Sequence, residues 1–464
     1  MTTTSNNPKE KARQLQQRLG ECAKKSRTRR FHALYDRIYR SDVLWEAWRR
    51  VRSNAGAAGV DGETIRAIEE RGVEEFLTDV QADLRAGRYQ PQPVKRRYIP
   101  KADGKQRPLG IPTVRDRVVQ MAAKLVIEPI FEADFQDFSY GFRPGRGATQ
   151  ALEVIREAGN QGYNFVVDAD IRGYFDNIDQ EWLMRLVGER ISDRRVLKLI
   201  RQWLQAGVME DGTVRATLAG TPQGGVISPL LANIYLNRLD RIWATRCSEL
   251  GKLVRYADDF VVMCQRESQA REALRRIDLV MKQMGLTLHP DKTRMVDLRR
   301  GQESFVFLGC TIRKKRSIQR NPRRWYMQRW PSSQATQRLR DRVREMTTPR
   351  AAGKDLKQMI EDLTPIVRGW GNYFRTGNAD REFNRMDSFV YLRLTRWLYR
   401  RGGQRAQRST HWTSQSFWDM GLHKLQGTVR YPSQATPPKI IVKPYAGKPH
   451  VRFERGYMET GQQQ

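Results

Sequence analysis

Leu253 to Cys264, L-V-R-Y-A-D-D-F-V-V-M-C, constrains the fold of this 464-residue chain more than any other stretch. Two apolar runs, Leu253-Val254 and Phe260 to Met263, flank Tyr256-Ala257-Asp258-Asp259, and β-branched and aromatic residues dominate the flanks. The pattern predicts a β-hairpin with two aspartates at its tip. Turns often use Asp for an Asx bond or a positive φ, so an ordinary turn is one reading. The other reading starts from charge. Adjacent carboxylates held rigidly repel each other, and a hard divalent cation with oxygen ligands relieves that repulsion. It requires a third carboxylate from elsewhere in the chain.

Phe165 to Ile178, F-V-V-D-A-D-I-R-G-Y-F-D-N-I, offers one. An apolar strand runs into Asp168 and Asp170, then passes Gly173 into Tyr174-Phe175. In-line phosphoryl displacement uses two metal ions about 4 Å apart, so carboxylates from separate elements have to meet. Asp170 is expected to face Asp258 across a sheet. Asp168 and Asp176 read equally well as solvated residues at a strand end.

Between these stretches lies Thr221 to Ile234, T-P-Q-G-G-V-I-S-P-L-L-A-N-I. The three motifs in this order and spacing resemble the group II intron-encoded reverse transcriptases, over roughly residues 55 to 400. The resemblance implies an α+β right-hand polymerase: fingers, a palm with a mixed or antiparallel sheet, a helical thumb continuing into a maturase (X) domain, and a small basic C-terminal module. It implies two Mg²⁺ ions on Asp170, Asp258, Asp259 and the Ile171 carbonyl, with deoxynucleoside triphosphates as substrates. Arg368 to Arg375, R-G-W-G-N-Y-F-R, resembles the maturase signature and separates this chain from defence-associated reverse transcriptases. A splicing cofactor without catalysis would be expected to lose the acidic triad, which is intact here.

Composition agrees. The formal net charge is +33, which points to a polyanion. No run of about 18 apolar residues is present, so nucleic acid is favoured over a membrane. Cys22, Cys247, Cys264 and Cys310 are far apart, without a C-x-x-C pair. They predict ordinary thiols in a reducing, cytoplasmic setting and no zinc site, and the resemblance implies a bacterial-type protein near the nucleoid. Many members of the family end in an endonuclease domain with paired cysteines, so a type lacking it is expected.

Along the chain, residues 1–90 read as a basic N-terminal extension. Its first 54 residues are helical, either a solvated arm or a strap over nucleic acid, and a Gly-rich break follows at Ala55 to Gly62. Pro91 to Pro112 predicts a cationic hairpin turning at Ala102-Asp103-Gly104. Lys95, Lys101, Lys105 and Arg107 on it could clamp a triphosphate, or merely charge an exposed edge. By resemblance Lys101 and Arg107 are the triphosphate contacts. Val114 to Phe135 predicts a core helix whose Arg115 and Arg117 are free for phosphate, and Arg143 in S-Y-G-F-R-P-G is a candidate backbone contact. Trp182 to Leu204 reads as helical and Gly207 to Thr217 as a second small hairpin. The glycines around Gln223 suit close approach of a primer and template, with Gln223 touching a base or sugar.

Phe175 occupies the position where the family excludes a 2′-hydroxyl, although spacing fits a core aromatic as well. Ser268 is the expected N-cap of a helix to Met284. Lys292 resembles the family's lysine for the leaving pyrophosphate, and His289 reads as structural. Phe305 to Ile312 reads as the last palm strand, closing a fingers and palm unit over 91–312. From Thr311 onward there are 32 Lys and Arg against 11 Asp and Glu. Residues 313–400 are expected to be helical, with aromatics inside and Arg368 and Arg375 among arginines facing nucleic acid. Residues 401–464 are basic and Pro-rich. The partners expected are intron RNA, target DNA and a primer and template duplex.

Overall fold

The computed structural model describes residues 7–100, 106–210, 213–215, 220, 224–316, 324–348, 353–409 and 412–430. The strands are β1 (Val94–Pro100), β2 (Gln106–Ile111), β3 (Phe165–Asp170), β4 (Val208–Glu210), β5 (Thr213–Arg215), β6 (Lys252–Tyr256), β7 (Asp259–Cys264), β8 (Arg294–Asp297), β9 (Phe305–Phe307), β10 (Cys310–Arg316) and β11 (Trp325–Pro331). Among the described residues they make three sheets, ordered β2-β1-β4-β5, β6-β7-β3-β8 and β11-β10-β9.

The second sheet is antiparallel throughout and covered on both faces. Strand side chains alternate between faces. Phe165, Val167, Ala169, Phe260, Val262 and Cys264 join a core built with the helices Val114–Glu132, Gln180–Gly188, Arg194–Gln205, Ser228–Arg246 and Glu267–Gln283. Val166, Val254, Val261 and Met263 join a second core with Ala148–Asn160, the β9–β11 sheet and the helices Ser333–Met346, Leu356–Phe374 and Asp380–Ser409. Double coverage explains why these strands are continuous apolar runs rather than half-polar ones.

Several expectations change here. The N-terminal helices Pro8–Lys25 and Ser41–Ser53 are neither arm nor strap: Leu15, Leu19, Leu44, Trp48 and Val51 are buried in the first core, against the Val114–Glu132 helix. The helical stretch 182–204 is divided into Gln180–Gly188 and Arg194–Gln205. Asp193 caps the second through the Arg195 and Val196 amides, while its other oxygen accepts from the Leu34 and Tyr35 amides at 2.8 and 2.9 Å. Arg266, not Ser268, occupies the N-cap position of the Glu267–Gln283 helix, and its backbone amide donates to Gln269 Oε1 at 3.0 Å. Phe305 to Ile312 is a turn rather than one strand, because Leu308 and Gly309 adopt left-handed φ of 49° and 73° and pair β9 with β10. The expected boundary at 312/313 therefore falls inside β10, and the β10–β11 hairpin precedes the expected helices. The Asp380–Ser409 helix likewise runs across 400/401. The Pro91 to Pro112 and Gly207 to Thr217 hairpins form as β1–β2 and β4–β5, joined by parallel pairing of β1 with β4. The turn at 102–104 and the segment 431–464 lie outside the described residues.

The Gly-rich break at 55–62 docks on the start of the Val114–Glu132 helix. A Cβ on Gly59 would stand 2.6 Å from Thr113 Cα and 2.7 Å from its amide nitrogen. That backbone cannot yield, since Thr113 caps the helix through Asp116 N at 3.0 Å. Gly59→Ala is expected to cost about 1–3 kcal/mol in urea denaturation. Gly188→Ala, with no described neighbour within 4 Å, is expected to be neutral or slightly stabilising.

Candidate active site

The register of β3 against β7 sets Asp170 directly opposite Asp259, and Asp168 opposite Val261. Asp168, Asp170 and Asp259 thus share one face at the end of the sheet. The partner of Asp170 is Asp259 rather than the expected Asp258, because β7 starts at Asp259 and leaves Asp258 in the two-residue turn. Ala257 takes the left-handed position of that turn, with φ 58°. A side chain there costs on the order of 1–3 kcal/mol, so the surroundings must enforce it.

They do so through Arg255. Its side chain is fully buried and pairs with Asp240: Nε donates to Oδ1 at 2.8 Å and Nη2 to Oδ2. Nη1 donates to the Ala257 carbonyl at 2.8 Å and to Asn233 Oδ1 at 3.0 Å. Asn233 Nδ2 donates in turn to the Gly141 carbonyl at 2.8 Å. Residues 138–140 run alongside β6, with the Arg255 amide on Phe138 O and the Tyr140 amide on Arg255 O. Gly141 then lies so close under the turn that a Cβ would collide with the Ala257 amide. Sequence reading missed Arg255, Asp240, Asn233 and Gly141. A charged residue amid the apolar L-V-R-Y strand was the available signal for the first.

The carboxylates are crowded. Burial, then Asp258, Asp170 and Asp168, push Asp259 well above the usual carboxylate range, with Lys292 opposing. Burial also raises Asp168, against the lowering effect of Arg294, whose Nε lies 3.3 Å from its Oδ2. Asp168 is therefore ion-paired rather than simply solvated, whereas Asp176 is exposed. Lys292 Nζ is 2.7 Å from Asp170 Oδ2, and the backbone amide of residue 289 donates to the Asp170 carbonyl at 2.8 Å. An antiparallel bridge joins Ile171 to Leu288. Among the described residues no three His, Cys, Asp or Glu side chains converge closely enough to hold an ion as they stand. Their chemistry nonetheless fits a hard dication: oxygen donors, mutual repulsion, and an ammonium already serving as counter-charge.

Other expected contacts separate. Lys95 is exposed on β1 and Arg368 on its helix, and Arg375 is half-buried. Arg143 is not a nucleic-acid contact. Its guanidinium is buried on Glu132 at 2.7 Å and on the Gln136 and Ser139 carbonyls, which fixes the loop carrying Gly141. Arg115 is tied to Asp83, and Arg117 is buried against the Ala57 carbonyl, so neither is free for phosphate. Phe175 is buried, edge-on to Tyr174 with centroids 5.3 Å apart, as a core ring would be. The glycines of the Gln223 loop do admit a close backbone, but it is the protein's own. A Cβ on Gly220 would stand 2.6 Å from Phe175 O, and one on Gly224 would collide with Gly110 O. Lys101, Lys105, Gln223 and the side chain of Arg107 lie outside the described residues. All four cysteines are free, and burial pushes Cys264 and Cys310 up to about 12.

Breaking the buried pair should be costly. Arg255→Met leaves Asp240 uncompensated and is expected to lose about 3–5 kcal/mol in urea denaturation, most of it recovered in Arg255→Met/Asp240→Leu. Asp259→Asn is expected to stabilise the metal-free protein by about 0.5–2 kcal/mol at pH 7. A raised folded pKa means ionisation opposes folding, so the gain is full above that pKa, shrinks as pH falls below it, and is gone below the unfolded carboxyl's pKa of about 4, where the group is neutral in both states. Thermal melts across pH 4–8 check the sign.

Comparison with known proteins follows the same division. Residues 99–312 match the reverse transcriptase (RNA-dependent DNA polymerase) family, and residues 336–418 match the group II intron, maturase-specific domain. Protein YkfC of Escherichia coli (strain K12) is 35% identical over 342 residues, covering 66% of this chain and 89% of YkfC. Group II intron-encoded protein LtrA of Lactococcus lactis subsp. cremoris is 42% identical over 215 residues, 46% of this chain and 35% of LtrA. A 91 kDa protein in the cob intron of Schizosaccharomyces pombe is 27% identical over 410 residues, 73% of this chain and 50% of that protein. The α+β palm with three aspartates on one hairpin and one strand, the maturase-specific helices and the extent of the YkfC match agree, and this chain belongs to the group II intron-encoded reverse transcriptase and maturase family.

Proposed function

We propose that the chain extends a primer along an RNA template with deoxynucleoside triphosphates, binds its intron RNA to assist splicing, and copies that RNA into DNA at a target site. The observation that carries the catalytic part is the register setting Asp170 across from Asp259, with Asp258 in the adjoining turn. Asp170, Asp258, Asp259 and the Ile171 carbonyl are the groups that would hold two Mg²⁺ ions. When bound, such ions activate the attacking hydroxyl and neutralise triphosphate charge. The chain's own part is placement. Arg255 and Gly141 fix the turn, and Lys292 holds an ammonium beside Asp170 where anionic groups gather. On the β1–β2 hairpin, Lys95, Lys101 and Arg107 are positioned in sequence to meet the triphosphate, and Gln223 to meet the template and primer. No helix among the described residues is long and apolar enough to cross a membrane.

Primer extension on an RNA template with Mg²⁺ tests this. Wild type should yield full-length complementary DNA, and Asp258→Ala should fall by about 10³-fold or more, the several kcal/mol a metal site supplies. The stable Arg255→Met/Asp240→Leu variant should lose about 10²-fold in kcat with little change in KM, because displacement of the turn misplaces the reacting groups without removing substrate contacts. A wild-type protein that binds structured RNA but never extends a primer would leave a splicing cofactor in place of the polymerase.

A further inference from the structure

The R-G-W-G-N-Y-F-R stretch contains a hydroxyl that core packing does not explain. Tyr373, near the end of the Leu356–Phe374 helix, is half-buried, and a phenylalanine ring would fill the same space. Its hydroxyl donates to the Leu308 carbonyl at 2.9 Å. Leu308 and Gly309 are the two-residue turn between β9 and β10, and both adopt positive φ. Such a turn favours Asn-Gly or Gly-Gly, so an aliphatic residue in its first position is strained. The conformation is held from outside. Tyr373 takes the Leu308 carbonyl, and the Ser332 amide donates to the Gly309 carbonyl at 2.9 Å. The Phe374 ring, edge-on to Tyr373 with centroids 4.7 Å apart, stands 3.8 Å from where a Cβ on Gly309 would lie.

The end of that helix is itself fixed to the palm. Buried Arg329 of β11 donates Nη2 to the Thr376 carbonyl and to Glu153 Oε2, each at 3.2 Å, and its own carbonyl accepts from the Asn378 amide at 2.6 Å. Glu153 belongs to the Ala148–Asn160 helix, which packs under the catalytic sheet. Tyr373 therefore reaches the turn from a rigid base. The turn in its grip leans on the catalytic hairpin. Val254, Tyr256 and Ala257 share one core with Phe305, Phe307, Cys310 and Phe374, and both Leu308 and Tyr373 pack against that core. Burial, then Cys310 and Tyr256, hold the Tyr373 phenol well above its usual range, with Arg329 opposing and the Asp259 charge adding to the rise. The phenol is thus a neutral donor within electrostatic reach of Asp259. The bond also joins the two family matches, since Tyr373 lies within 336–418 and Leu308 within 99–312.

We propose that Tyr373 is a positioning residue for polymerisation: by holding the Leu308–Gly309 turn against the catalytic hairpin, the maturase-specific helix completes the polymerase site. This rests on the polymerase reading given above. The test compares the full chain as wild type, Tyr373→Phe and Thr364→Val. Each variant takes one hydroxyl from the same helix, since Thr364 Oγ1 donates to the Gly421 carbonyl at 3.0 Å, but Gly421 lies outside the palm. In steady-state primer extension on an RNA template with Mg²⁺, Tyr373→Phe should lose about 10-fold in kcat and keep KM for the deoxynucleotide within about 2-fold, because the reacting groups shift while substrate contacts stay. Thr364→Val should match wild type in both. Amide hydrogen exchange at 256–259 should quicken in Tyr373→Phe and not in Thr364→Val. Wild-type kcat in Tyr373→Phe overturns the proposal, and so do equal losses in the two variants, which mark a general loss of stability. A raised KM at unchanged kcat overturns it as well, since the hydroxyl would then act on substrate binding, as does exchange at 256–259 that Tyr373→Phe leaves unaltered. Wild type that extends no primer sinks the polymerase reading and this proposal with it, whereas an active wild type equalled by Tyr373→Phe sinks this proposal alone.

Discussion

The buried pair between Arg255 and Asp240 is the interaction on which the rest of the site depends. A charge pair at zero exposure is a poor source of stability, since desolvation offsets most of the attraction. Its value here is geometric. One guanidinium reaches the carboxylate of the Ser228–Arg246 helix, the amide of Asn233 on that same helix, and the carbonyl of Ala257 in the turn. Asn233 extends the network to Gly141. The left-handed Ala257 is thus held from both sides, by Arg255 within and by the Gly141 backbone beneath. Two aspartates that repel each other and Asp170 need that stiffness, because a looser hairpin would swing them apart.

The sheet adds a second constraint. Covered by a core on each face, it can expose polar groups only at strand ends, and the register gathers three aspartates of one face at a single end. The raised pKa of Asp259 is the electrostatic consequence of that gathering. Lys292 and Arg294 compensate in part, arriving from the turn before β8 and from β8 itself, the strand on the other side of β3. The arrangement is stable enough to fold and strained enough to favour cations.

Much of this was legible in the sequence. The catalytic hairpin, the Asp170 strand and the β1–β2 hairpin were visible because local period and turn chemistry agree with the tertiary fold. The misses share one cause, contact between segments distant in sequence. Asp193 divides a continuous helical pattern because it accepts amides from residues 34 and 35. Apolar residues of the N-terminal helices looked like one face of a free arm, and only the Val114–Glu132 helix shows what they cover. The β10–β11 hairpin was missed because W-Y-M-Q-R-W does not alternate in polarity: the inward positions of β11 are Met327, Arg329 and Pro331, and the buried arginine hides the period of two. Glycine reading anticipated close backbone approach, and the backbones that Gly220 and Gly224 meet are those of Phe175 and Gly110, distant in sequence.

Charge shows the same division. A net charge of +33 invites the view that every arginine faces nucleic acid. Yet Arg117, Arg143, Arg190, Arg255 and Arg329 are all under 10% exposed and satisfy carbonyls or carboxylates inside the protein. Arginine serves in these places because its planar fork of five donors can tie several backbone groups at once, which a lysine cannot. The count of phosphate contacts must therefore fall well below the formal charge. Exposure separates Arg368, which the solvent reaches, from Arg143, which is spent on Glu132 inside the protein.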